Sequence, residues 1–291
     1  MKIRLYNARI LTMEENRPVF FGEIWVKDDR IIRVTDSGQE GAGAQTRSCE
    51  NTARGSLWKE SSNPGGQDGS KDVCDLQKAD EGNETAGYPG AVETAWDQEI
   101  DCGGNLLMPG FKDAHTHSAM TFLRSYADDV PLQQWLLEKV FPMEAKLTGT
   151  DIYHLTRLAV LEYLTSGVTS IFEMYLDPDM AAKACIDMGM RCVLTSGLNN
   201  FTSSIRQQEE EYLMWNSSDS LVSYRLGFHA EYTCSRTLLE GVASLADKYH
   251  APVYTHLAET KKEVEECRGR YGVTPAVFLD KLGIFAHGGG G

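Results

Sequence analysis

Apolar and polar residues alternate over the first 35 positions in three short runs, "KIRLYNARIL", "GEIWVKDD" and "RIIRVT", separated by turn residues. A period of two puts one face of each run on a core and the other in solvent, so the pattern predicts a small antiparallel sheet. Between Ser37 and about Gln98 the periodicity disappears, and Gly, Ser, Asn, Asp and Gln dominate. A stretch so poor in apolar residues cannot bury enough surface to offset its ordering entropy. Residues 37–98 are therefore expected to form a low-complexity, disordered insertion, with Trp58 and Trp96 as incidental hydrophobes or docking points. Strand-like patterning resumes at "EIDCGGNLLMPGF", and residues 99–108 are expected to return to the first portion, 1–36.

From Met108 onward, short apolar runs alternate with helical patterns, the signature of βα repeats around a parallel sheet or barrel. "LMPGFKDAH" is the first predicted strand. The helix "TGTDIYHLTRLAVLEYLTSG" follows, with Thr148 as its cap, Asp151 in its first turn and Gly167 past its end. The strands "VTSIFEM", "MRCVLTSG", "SYRLGFHAEY" and "APVYTHLAE" come next. Helices are expected at 178–189, around "IRQQEEEYLMWN", at 235–250, and through "KKEVEECRGRYG" and "TPAVFLDKLG". A sixth strand is expected at "GIFAHGGGG", so a closed barrel over 109–291 would be incomplete. An open barrel exposes a sheet edge, which predicts poor solubility or self-association into a homo-oligomer.

Histidines mark three of these strand ends: His115 and His117 the first, His229 the fourth and His256 the fifth. In a barrel the C-terminal strand ends converge on one face, which would bring the four imidazoles to a common site. Positions i and i+2 of a strand share a side, so His115 and His117 can grip one ion together while Thr116 points into the wall. His256 completes a three-nitrogen set suited to zinc or iron(II), and Glu259 falls where a proton carrier beside the metal is needed. His154 and His250, in or at the end of helices, read as surface or capping residues, and His287 as without function. The H-E-x-x-H helix of zinc proteases is absent, which argues against that class.

The chain of 291 residues is 42% hydrophobic, enough for one large α/β domain or a barrel with a small appendage. With 42 acidic against 28 basic residues the net charge is −14, so nucleic acid and anionic membrane are expected to be repelled and a small-molecule partner is favoured. No apolar run approaches the roughly 20 residues of a bilayer span, and the start lacks the apolar core of a secretion signal; the cytoplasm is the expected location. Seven cysteines without a C-x-x-C pair read as ordinary reduced thiols, leaving any metal to other ligands.

The stretches "MPGFKDAHTHSAMTFLRSYADDVPLQQWL", "GFHAEYTCS" and "THLAET" together resemble the amidohydrolase superfamily. The likeness is to its branch of aminohydrolases and chlorohydrolases, which includes the 5-methylthioadenosine/S-adenosylhomocysteine deaminases and the triazine hydrolases. That resemblance implies an α/β fold, a (β/α)8 TIM-type barrel of the metal-dependent hydrolase kind, incomplete in this chain, beside a small β-sandwich portion. It also implies one divalent metal, usually zinc, on His115, His117 and His256, with Glu259 as general acid/base. His229 would bind the substrate ring, and Trp135 and Glu144 would line a nucleoside pocket, Glu144 taking the ribose hydroxyls. Family members also use a histidine after the sixth strand and an aspartate after the eighth, and neither position lies in these 291 residues. Ser196 stands where many of these deaminases place an arginine for the homocysteine portion, with Arg206 as an alternative.

The implied activity is hydrolytic deamination of an adenosine-like nucleoside or related N-heterocycle by metal-activated water. Two alternatives stand beside it: release of chloride or amine from a triazine-type ring, and a non-catalytic fragment or interaction module.

Overall fold

The structure, a computed structural model, describes residues 1–37 and 95–291, so Trp58 and nearly all of the expected insertion lie outside the described residues. It divides into two compact units, Met1–Pro109 and Gly110–Gly291.

The first unit is a five-stranded sheet centred on β1 (Lys2–Ile10). β2 (Phe20–Lys27) pairs with it antiparallel, and β3 (Arg30–Asp36) pairs antiparallel with β2, as the alternation predicts. The returning strands β4 (Gln98–Asp101) and β5 (Leu106–Leu107) run parallel to β1. A tight hairpin can deliver only an antiparallel neighbour, whereas a strand returning after a long connection is free to align parallel. Trp96 packs edge-on against Trp25, with ring centroids 5.0 Å apart, so it belongs to this sheet.

The second unit is a curled, all-parallel half-barrel of six strands in the order β11-β10-β9-β8-β7-β6. Its strands are β6 (Phe111–Thr116), β7 (Val168–Met174), β8 (Arg191–Thr195), β9 (Val222–Ala230), β10 (Val253–His256) and β11 (Gly289–Gly290). Strict sequential order is what repeated right-handed βα crossovers produce. The run "LMPGFKDAH", expected as one strand, is two: Leu106–Leu107 in the first unit and Phe111–Thr116 in the second. Pro109 lacks the amide a continuous ladder needs, and Gly110 follows it. The sixth strand is present only as Gly289–Gly290, paired parallel with β10.

Between β6 and β7 the chain forms a short 3-10 turn (Ser118–Leu123), α1 (Leu132–Gln134), a π-helical turn (Trp135–Val140) and α2 (Phe141–Glu144) before the long α3 (Gly149–Thr165). The helices α4 (Pro178–Met188), α5 (Ile205–Ser218), α6 (Arg236–Tyr249), α7 (Lys261–Tyr271) and α8 (Pro275–Lys281) complete the unit. Capping residues explain where most of them start. Thr148 accepts from the Asp151 amide at 3.3 Å and the Asp151 carboxylate accepts from the Thr148 amide at 2.8 Å, a reciprocal box at the start of α3. Asp177, Ser204, Ser235 and Thr260 cap α4, α5, α6 and α7 in the same sense. His250 ends α6 in the left-handed conformation, φ 48°.

β9 is buried along most of its length. Leu226 and Phe228 pack with Leu239 and Val242 of α6 and Leu279 of α8, while Tyr224 joins Ile171 and Leu194 against α4. Burial on both faces is the mark of a central parallel strand. Gly227 in this strand is forced by space: a Cβ there would lie 2.3 Å from Thr195 Oγ1 and 2.7 Å from the Tyr254 carbonyl oxygen. Among the described residues no helix is long and apolar enough to cross a membrane.

Two stability predictions follow from these contacts. Thr148→Ala, which removes the side-chain half of the α3 box, should cost about 1 kcal/mol in urea melts. Gly227→Ala should cost about 1–3 kcal/mol by overpacking, and a wild-type melting curve for that variant would mean β8 and β10 stand further from β9 than the structure has them.

Candidate metal and substrate site

Strand β6 ends at Thr116, and the pleat turns that side chain away from its neighbours'. Thr116 Oγ1 lies 3.0 Å from the Phe172 carbonyl and 2.7 Å from Glu173 Oε2, both on β7. The flanking imidazoles face the other way, with His115 Nε2 and His117 Nε2 3.2 Å apart. His117 Nδ1 stands 2.6 Å from the Met174 carbonyl. A carbonyl only accepts, so the proton sits on Nδ1 and the His117 Nε2 lone pair is left facing His115. His256, at the end of β10, brings its ring centroid to 5.1 Å from that of His115 and 5.2 Å from that of His117. One ring nitrogen from each of the three lies within 4.8 Å of the others.

His229 sits beside this group, 5.2 Å from His256 between ring centroids, with Nδ1 3.1 Å from Thr233 Oγ1. Burial and the facing imidazole of His117 push His229 down to about 4, and burial with three neighbouring imidazoles pushes His256 down to about 3. His117 is lowered by burial. Imidazole nitrogens gathered this closely form the donor set that borderline divalent ions take. One N–H from His115 would serve a single facing nitrogen, whereas one small cation serves all three, so these residues fit a metal ion.

Glu259 follows β10 by three residues, after Ala258 in the left-handed conformation at φ 54°. Its carboxyl is raised by burial and then by the charge of Glu263, and His115 opposes the rise. Glu263, fully buried on the first turn of α7, takes the Ala258 amide on Oε1 at 3.1 Å and the Glu259 amide on Oε2 at 2.8 Å. It thereby fixes the loop that carries Glu259. Its sequence signal was the T-x-x-E pattern from Thr260 to Glu263, an N-terminal box that the reading of motifs passed over.

A cavity of about 690 Å³ opens on this group, and His117, Trp135, Glu144, His229, His256 and Glu259 all line it. That volume suits a ligand the size of a nucleoside. Glu144 is raised by burial, with the Tyr175 hydroxyl opposing. Ser196 is also on the wall, its Oγ accepting from the Leu198 amide at 3.1 Å. Arg206 does not take the role open to it: its side chain is 88% exposed and paired with Glu210, one helical turn on along α5. The remaining histidines lie elsewhere. His154 is exposed on α3, and the His250 and His287 rings meet at a centroid distance of 4.8 Å.

Glu173 went unread in the sequence. It is the next-to-last residue of "VTSIFEM", 1% exposed, and burial pushes its carboxyl up to about 7 against the hydrogen bonds it accepts. A carboxylate among the Ile, Phe and Met that end this strand was the available signal.

The comparisons with known proteins agree with this geometry. The model of the amidohydrolase family matches residues 106–288. A 5-methylthioadenosine/S-adenosylhomocysteine deaminase of Syntrophomonas wolfei is 43% identical over 200 residues, covering 67% of this chain and 46% of that protein. A 5'-deoxyadenosine deaminase of Methanospirillum hungatei is 41% identical over 202 residues, 65% of this chain and 45% of the relative. The chain thus spans about half the length of the curated relatives it matches. Among solved structures, a zinc-bound adenosine deaminase of Xanthomonas campestris superposes with a TM-score of 0.72 at 26% identity, over 97% of this chain and 55% of that one. The zinc complex of an atrazine chlorohydrolase from Arthrobacter aurescens reaches 0.68 at 16% identity, over 97% and 58%, a likeness of fold alone. The half-barrel, its histidine-bearing strand ends and the matched residues coincide along one stretch of sequence, and the chain belongs to the amidohydrolase family.

Proposed function

We propose that this protein is a metal-dependent aminohydrolase that removes the amino group of an adenosine-type nucleoside or a related N-heterocycle. The observation that carries this reading is the convergence of His115, His117 and His256 to within 4.8 Å, on a cavity that Glu259 also lines. The relatives named as deaminases of 5-methylthioadenosine, S-adenosylhomocysteine and 5'-deoxyadenosine support the substrate class. We assign residues 1–36 and 96–108 to a β-sandwich portion, the residues between them to an insertion and 109–291 to a partial barrel; Trp96 and Gln98, expected in the insertion, pack on or pair with the first sheet. The cytoplasm is the proposed location.

In this reading His115, His117 and His256 hold one divalent ion, with zinc favoured over iron(II) by the all-nitrogen donor set and by the zinc in the neighbouring adenosine deaminase structure. When bound, such an ion lowers the pKa of water to around 7. Glu259 is held beside His115 by the two backbone bonds to Glu263. Its carboxylate takes the proton of the attacking water and passes it to a ring nitrogen of the heterocycle, which leaves the amine-bearing carbon electron-poor. The water oxygen adds at that carbon, its remaining proton moves to the amine, and ammonia departs as the carbon–oxygen double bond forms. His229, kept neutral by burial, serves as a hydrogen-bonding partner for the ring rather than as a second cation. Trp135 covers the base, and Glu144 accepts from the ribose hydroxyls. A neutral Glu144 would also accept, through its carbonyl oxygen, so the upward shift does not cost it that role.

A longer form of the protein that also carries the sixth-strand histidine and the eighth-strand aspartate, loaded with zinc, should release ammonia from adenosine, methylthioadenosine or 5'-deoxyadenosine, in preference to guanine or cytosine. Glu259→Gln should keep its zinc and lose turnover by a factor of about 10²–10⁴. Near-normal deamination by that variant would remove Glu259 from the mechanism. Failure of the wild type both to retain zinc and to bind any of the nucleosides would overturn the assignment.

A further inference from the structure

Behind the histidine pair, one buried side chain gathers most of the local hydrogen bonds. Glu173 accepts the Ser118 amide at 3.0 Å on Oε1 and 3.1 Å on Oε2, the Thr116 hydroxyl at 2.7 Å, and the Ser118 hydroxyl as well. The second partners of those hydroxyls continue the network. Ser118 Oγ lies 3.1 Å from the Tyr163 hydroxyl on α3, and Thr116 Oγ1 lies 3.0 Å from the Phe172 carbonyl. Residues 116 and 118 flank His117, and 116 also follows His115, so one carboxyl group fastens the backbone between and after the two imidazoles to β7. The carbonyl of the next residue, Met174, accepts a hydrogen bond from His117 Nδ1–H. None of the three groups that donate to Glu173 is an imidazole, so the group acts on the pair only through the chain that carries it.

We propose that Glu173 is the positioning residue of the histidine pair, holding Thr116 and Ser118 against β7 so that His115 and His117 present their Nε2 atoms to one shared point. The proposal rests on the reading of those imidazoles as metal ligands. It is a statement about hydrogen-bond geometry rather than charge, and that makes it separable from a merely structural role. A glutamine at this position reproduces the pattern: its carbonyl oxygen accepts the Ser118 amide, and its NH2 donates to Thr116 Oγ1 and Ser118 Oγ. Those hydroxyls then turn their own protons to the Phe172 carbonyl and the Tyr163 oxygen. An alanine accepts nothing, and Thr116→Val deletes one anchor while keeping the shape of the side chain.

The test is zinc affinity, by competition with a chromophoric chelator, measured alongside thermal melts for Glu173→Gln, Glu173→Ala and Thr116→Val. Partners that orient metal ligands typically contribute about 10–100-fold in affinity. Glu173→Gln should stay within about threefold of wild type, Glu173→Ala should lose tenfold or more, and Thr116→Val should fall between them. A purely structural role would lower the melting temperature of the variants and leave the affinity of the folded protein unchanged, and that result overturns the proposal. So does a loss in Glu173→Gln as large as in Glu173→Ala, since charge would then be responsible. If Glu173→Ala does not fold, unchanged affinity in Thr116→Val overturns it alone. If the wild type binds no zinc, the metal reading fails, and crystal structures of the same variants decide the positioning claim. A His115–His117 Nε2 separation still at 3.2 Å in Thr116→Val and in whichever Glu173 variant folds without accepting the Ser118 amide would refute it.

Discussion

Lone pairs that face one another repel unless a proton or a cation stands between them, and the C-terminal end of the parallel sheet is built around that constraint. His117 spends its only ring proton on the Met174 carbonyl, while burial and mutual proximity keep His229 and His256 from gaining a second one. The strand ends have therefore brought together nitrogens that need a shared electrophile. Separate satisfaction by ordinary donors would scatter the rings to individual partners instead of gathering them.

Holding such a group together is work for the shell behind it. Each histidine-bearing strand end has a buried glutamate next to it. Glu173 ties down the segment around His117, Glu263 ties down the loop after His256, and Glu231, just past His229, is paired with Arg270 of α7 at 2.6 Å. A carboxylate can accept several hydrogen bonds at once, which suits it to fixing irregular backbone where no ladder partner exists. The cost is desolvation, visible in the upward shifts of Glu173 and Glu231. The apolar packing of β9 against α6 and α8 supplies the rigid floor on which these loops are pinned.

Much of this could be read from the sequence, for reasons that are themselves physical. Helix starts were legible because caps are local: Thr148, Ser235 and Pro178 announce themselves within four residues. The strands of the half-barrel were legible because short segments rich in β-branched and aromatic residues, such as "VTSIFEM" and "RCVLT", recur between helical patterns. The His115, His117 and His256 grouping followed from strand-end geometry. What escaped the reading depends on distant partners. The parallel return of β4 and β5 to β1 and the packing of Trp96 on Trp25 are set by contacts some 70 to 95 positions apart. The break at Pro109 hid inside a run that looked like one strand. The roles of Glu173 and Glu263 rest on loops that only the fold brings to them.

The central claim is that three imidazoles share one ion, and the most direct measurement is an anomalous difference map from a zinc-soaked crystal recorded across the zinc absorption edge. The account predicts a single edge-dependent peak about 2.0–2.1 Å from one nitrogen of each of His115, His117 and His256. A map in which zinc binds elsewhere, or in which those three rings stay as they are with no peak between them, would contradict it.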